Sequence, residues 1–134
     1  MKFKFSAATA ALVALSVPAM SSADDGLKYA DLVHCAATNM VVAGVLSLDD
    51  GKVKNKDQIN TINGQAAALM AIAAVTEKKE VDVVKADADK ETDAIIEILK
   101  DKSKSSAFIE TEVPKCNTLG QAAVEVINDT KKSK

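Results

Sequence analysis

The chain carries only two cysteines, Cys35 and Cys116, and each falls on the apolar stripe of a segment with helical periodicity. Cys35 shares its stripe with Leu32, Val42 and Leu46; Cys116 shares one with Leu119, Ala123 and Val126. Residues at such steps stack on one face of a helix. Each sulfur is therefore expected to point into a core, and two core-facing sulfurs in an oxidising compartment are expected to pair. Closing a loop of about 80 residues would stabilise the fold by roughly 4 kcal/mol through the restricted unfolded chain. Free, reactive thiols are the alternative. Against them, neither cysteine lies in a Cys-x-x-Cys pair or beside a cationic cluster that would favour the thiolate.

The oxidising compartment is itself an expectation from the amino terminus. Lys2 and Lys4 precede an apolar run from Phe5 to Val17, then Pro18 and the small-residue stretch Ala19-Met20-Ser21-Ser22-Ala23. A positive start, a short apolar middle and small residues before a cut make a secretory signal. Cleavage after Ala23 is expected, so that residues 1–23 are removed and residues 24–134 form a single domain. The run is shorter than the about 20 residues a membrane span needs, which disfavours an uncleaved anchor. No cysteine stands at the cut to take a lipid. The longest later apolar run, Ala66 to Val75, reads as a core helix, and no membrane contact is expected after cleavage.

Of the 17 basic and 19 acidic residues, the leader takes two lysines and no acids, which puts the mature charge at −4. Every basic residue is a lysine. A chain without arginine forks, carrying a negative balance, is a poor nucleic-acid binder and a poor basic membrane-surface binder.

Helix periodicity dominates the mature segment. Asp24-Asp25-Gly26 offers a helix start, and the first helix is expected over Leu27–Leu48, buried on most of its circumference. Asp49-Asp50-Gly51 should end it, with a charged loop over Lys52–Lys56. Asp57 would cap a second helix running to Glu77, with a stripe of Ile59, Ile62, Ala66, Leu69, Met70 and Ala73. Residues Thr76–Glu80 suggest a turn, although no glycine or proline enforces it. A third helix over Val81–Lys102 turns Val84, Ala88, Ile95, Ile98 and Leu99 inward. Ser103–Ser106 reads as a polar loop, and Phe108, Ile109 and Val113 as a cover over one end of the core. Pro114 suits the first turn of a last helix carrying Leu119, Ala122, Ala123, Val126 and Ile127, with a fraying tail at Lys131–Lys134. The expected fold is all-α: an antiparallel four-helix bundle whose disulfide joins the first and last mature helices. One short echo, Gly64-Gln65-Ala66-Ala67 and Gly120-Gln121-Ala122-Ala123, reads as chance in an alanine-rich chain.

Candidate chemistry is sparse. His34 is the only histidine, with Asp31 one turn before it. Two ligands make neither a zinc site nor a triad, so a partly exposed helix histidine is expected. No haem-attachment motif occurs, and His34 with four methionines gives thin support for any other haem. Asp49-Asp50-Gly51 lacks the ligand alternation of a calcium loop. Asp87 to Asp93 alternates, but lacks the turn glycine and has Ile98 at the twelfth position, inside an expected helix. Asn128-Asp129-Thr130 is a glycosylation triplet only in a eukaryotic source. The few mature serines lie in no nucleophile elbow, and Tyr29 and Phe108 are the only mature aromatics. No enzyme, cofactor or metal is expected.

The function expected on this evidence is a small exported, periplasmic protein that binds another protein through helix faces or the charged loop Asp49–Lys56. An inhibitor or an immunity-type factor would have this build. Two alternatives stand beside it. In build alone, with no shared motif, the chain is similar to small periplasmic acid-stress chaperones, which are helical, lysine-rich and held by one disulfide. Protonating the acids would swing the charge from −4 toward about +16, and self-repulsion would expose apolar faces. The other alternative is a carrier of a small apolar ligand, disfavoured because alanine-rich faces should leave little room.

Overall fold

The computed structural model describes residues 28–48 and 50–132. The leader, its cut after Ala23, the Asp24-Asp25-Gly26 start, Asp49 and the last two residues lie outside the described residues. Five helices follow in order: α1 Tyr29–Leu46, α2 Gly51–Lys54, α3 Lys56–Glu77, α4 Val81–Leu99 and α5 Lys102–Lys132. There is no strand among the described residues, and the all-α bundle with a Cys35–Cys116 disulfide stands.

The connections explain where the expected boundaries moved. The expected charged loop after α1 winds a single turn, α2, which folds back on the end of α1. Gly51 N–H donates to the Leu48 carbonyl at 2.9 Å, and the Asn55 amide donates to the Leu46 carbonyl at 3.1 Å. A Cβ on Gly51 would stand 2.3 Å from the Leu46 carbonyl oxygen, so this close approach requires glycine. Asn55, not Asp57, sits at the N-cap of α3, and Asp57 lies in its first turn. The turn at residues 78–80 is real and is built without glycine or proline. Lys78 adopts the left-handed conformation (φ 53°, ψ 44°), while Lys79 N–H reaches back to the Ala74 carbonyl and Lys78 N–H to Val75. This is the six-to-one and five-to-two closure that ends many helices.

The largest correction concerns the last helix. Ser103–Ser106 is not a loop, and Pro114 does not begin a helix. The third long helix ends at Leu99, and α5 starts at Lys102 and runs through Pro114. Asp101 initiates it: one carboxylate oxygen accepts from Ser103 N–H (3.0 Å), the Ser103 hydroxyl (2.7 Å) and Lys104 N–H (3.4 Å). These bonds to the ionised form, the Ser103 hydroxyl foremost, hold the Asp101 carboxyl below its usual range. Serine-rich sequence suggests a loop because such residues favour caps and turns. Here one acid caps them into the first turn. Pro114 removes a single backbone bond, which packing on both sides of it tolerates.

The packing partners fix the architecture. Along α1, Tyr29 meets Asp87, His34 meets Glu91, and Ala37 packs with Ile95, so α1 and α4 run parallel. Asn39 meets Gln65 and Leu46 meets Asn55, so α1 and α3 are antiparallel. α1 lies between α4 and α3, which touch each other only lightly. α5 does not complete a ring. Phe108 packs with Ala37 and Ile95, Glu112 faces His34, Cys116 bonds Cys35, Gly120 approaches Asn39 and Gln65, and Val124 lies near Ala68. The last helix thus crosses obliquely from the α4 edge, over α1, to the α3 edge.

The core sits beneath that crossing. Leu32, Leu69, Val84 and Ile95 are fully buried, as are both cysteines. α1 buries every residue from Cys35 to Asn39, as expected of the central helix. On α5 the buried face is Cys116, Gly120 and Ala123, with Leu119 and Ile127 partly covered. Val126 and Ile109, both expected inward, face solvent. The oblique crossing rotates contact off the stripe that a parallel ring would have used.

Candidate functional site

Four places outside the core could carry function. The first is built around His34, which α1 aims at the α4–α5 hairpin. Its Nδ1 lies 3.4 Å from Glu91 Oε1 and its Nε2 lies 3.0 Å from Glu112 Oε1. The Phe108 ring stands edge-on, 6.0 Å between centroids. All three polar side chains are partly buried, His34 the most. The expected partner, Asp31, takes no part. The two glutamates were missed because they lie 57 and 78 residues away in sequence. They occupy opposite edges of the ring, so one ion cannot gather all three. No group of three or more potential ligands is present among the described residues.

The second lies at the bottom of α1. The Tyr29 hydroxyl donates to Asp87 Oδ2 at 2.5 Å. The Lys79 ammonium sits 4.0 Å above the Tyr29 ring and 3.9 Å from the same carboxylate. Desolvation, then the bond and charge of Asp87, push the Tyr29 hydroxyl up to about 12. The calcium-like run is thereby disassembled: Asp87 serves Tyr29, Glu91 serves His34, and both lie on a continuous α4.

The third is an open groove of about 310 Å³ between α3 and α5. Gly64, Ala67 and Ala68 line one side, Val124, Ile127 and Lys131 the other. Alanine-rich packing is expected to leave little room. The groove arises because α5 crosses α3 obliquely and Gly64 has no side chain: a Cβ added there would meet nothing within 4 Å.

The fourth is the end of the bundle made by α1 and α2. Val45, Leu48 and Val53 are 57%, 64% and 81% exposed there. Around them are Lys52, Lys56 and the Asp50–Lys54 ion pair at 3.3 Å. Exposed apolar side chains rimmed by charge mark a contact surface where they form one patch, and Val75, Val81 and Val83 make a second such group at the α3–α4 turn. This end includes most of the loop that the sequence offered as a binding element.

Two helices, α1 and α3, are long and apolar enough by length and composition to cross a membrane. Counting unbroken apolar runs missed this, because helix length and average hydropathy decide it. In the bundle both helices supply the buried core. Among the described residues, the buried disulfide accords with an oxidising compartment. No protein-family model, curated protein or solved structure matches this chain.

Proposed function

We propose that this is an exported, periplasmic helical protein that acts without catalysis, by binding a protein partner through the α1–α2 end. The observation that carries the reading is the exposure of Val45, Leu48 and Val53 on a disulfide-pinned scaffold. Burying a few such side chains in a partner, with Lys52, Lys54 and Asp50 at the rim, has the anatomy of a small specific interface. Export supplies the oxidant for the Cys35–Cys116 bond and fits the leader at residues 1–23.

A photo-crosslinking residue placed at Leu48 or Val53 in the exported protein tests this. A discrete adduct is expected from both positions, and none from the exposed control position Glu125. Val53→Asp should abolish the Leu48 adduct. Equal labelling at Glu125, or no adduct at either site, ends the proposal. Fractionation and amino-terminal sequencing should find the mature protein outside the cytoplasm, beginning at Asp24.

One observation favours a second reading, a carrier of a small apolar ligand: the α3–α5 groove reaches the lower end of ordinary ligand-site volumes. Native mass spectrometry of the purified protein would then find a bound small molecule that Gly64→Leu removes. A clean apo mass for the wild type disposes of it.

A further inference from the structure

We infer that His34, Glu91 and Glu112 form a one-proton clamp that fastens the α4–α5 hairpin to α1 in mildly acidic surroundings and releases one arm as pH rises. The argument is a count of donors. A neutral imidazole carries one N–H and one bare nitrogen. Here each ring nitrogen faces a carboxylate oxygen, at 3.4 Å and 3.0 Å. With the ring neutral and both glutamates ionised, one of those contacts sets a lone pair against a lone pair. Both become hydrogen bonds when the ring holds two protons, and both are then charge-assisted.

The surroundings leave that proton as the neutralising charge. Glu91 comes from α4 and Glu112 from α5, and neither forms an ion pair with a lysine among the described residues. Asp31, one turn earlier on α1, adds another negative charge on the histidine's own helix. Lys79, the lysine that meets Asp87 one turn before Glu91 on α4, is held by that carboxylate and the Tyr29 ring. The Phe108 edge closes one flank of the imidazole.

What the clamp holds is the lightly anchored part of the fold. α4 buries only Val84, Ala88 and Ile95. The start of α5 adds Phe108, while Cys116 fixes the rest of α5 to α1 covalently. Opening one arm therefore loosens α4 and residues 102–113, and leaves α1, α3 and the second half of α5 in place. The sign follows from the donor count: both arms need a proton on each ring nitrogen, and one arm is lost when the ring gives one up.

Hydrogen exchange of the disulfide-intact protein at pH 5 and pH 8, corrected for intrinsic rates, reads this directly. Protection in α4 and residues 102–113 should fall at least about threefold more than in α3 over that interval. In His34→Gln the fall should vanish. Glu91→Gln and Glu112→Gln, each of which swaps one acceptor for an amide, should each reduce it. The ring itself should show two protonated nitrogens at pH 5 and one at pH 8 by nitrogen NMR. An equal change in α3 and α4, or a wild-type pH response that persists in a folded His34→Gln, overturns the inference.

Discussion

Two glycines in the same four-residue phrase should respond to alanine with opposite signs. Gly64 and Gly120 both lie inside helices, neither with positive φ, so alanine brings each about 1 kcal/mol of helix propensity. At Gly64 the new methyl meets nothing within 4 Å, and the gain should appear in full. For a domain of this size that is a rise of about 4–6 °C in Tm. At Gly120 the methyl would stand 2.8 Å from Gln65 Cβ, 2.9 Å from Asn39 Nδ2 and 3.0 Å from Gln65 Oε1. Both neighbours are 3% exposed, so neither can swing into solvent. Overpacking of this kind costs about 1–3 kcal/mol. Displacing the buried Asn39–Gln65 amide pair, 3.5 Å apart, would add to that. The net expectation for Gly120→Ala is a loss of about 1–3 kcal/mol. Urea melts of the oxidised protein and both variants decide it. A Gly120→Ala protein as stable as the wild type would show that α5 does not approach α1 and α3 this closely, and the oblique crossing would lose its main support.

Further outcomes follow from other contacts. Reduction of the disulfide, or Cys35→Ala with Cys116→Ala, should cost about 4 kcal/mol for a closed loop of this length, read as a large drop in the urea midpoint. Lys78→Gly should raise stability by about 1 kcal/mol, because a β-carbon is disfavoured in the left-handed conformation that Lys78 adopts; an unchanged or lower melting point refutes the Lys78 geometry. Tyr29, the only tyrosine, should ionise late, at about 12, as followed by phenolate absorbance. Its folded value lies above the ordinary one near 10, so its contribution is whole below pH 10 and is lost as pH climbs toward 12. Tyr29→Phe should flatten that alkaline decline.

What was legible in the sequence was whatever depends on local spacing. The stripes through Leu32 and Cys35, through Ile62, Ala66, Leu69 and Ala73, and through Val84, Ala88 and Ile95 are buried as the periodicity predicts. So is the pairing of the cysteines, since both sulfurs were placed on core faces. The start of α5 was not legible. Its signal was one acid, Asp101, three residues before the lysine whose N–H it accepts, and a proline thirteen residues later argued for a boundary elsewhere. Nor could spacing reveal Glu91 and Glu112 as partners of His34, because that meeting depends on the order of helices around α1. The Gly64–Gly120 echo reads as chance from sequence alone. In the fold the two glycines stand along one helix contact, yet only Gly120 is pressed against it.

The same order of helices implies where the molecule should open first. α1 buries eight residues in 18 and α3 seven in 22, whereas α4 buries three in 19. Of these three helices α4 therefore brings the fewest buried side chains to the core. What it has instead is a pair of polar latches to α1, Tyr29–Asp87 with Lys79 near its start and His34–Glu91 farther along. Partly exposed polar contacts contribute less than buried methyl groups and vary with pH and salt. Meanwhile the disulfide ties the centre of α5 to α1 and leaves the α4–α5 connection beyond its reach. Local opening should therefore run from α4 into residues 102–113 and stop at Cys116. Raising salt should hasten exchange in α4 before it touches α3. If α3 exchanges first, its contacts with α1 are weaker than the alanine-lined seam implies, and the layer cannot be the rigid part of the fold.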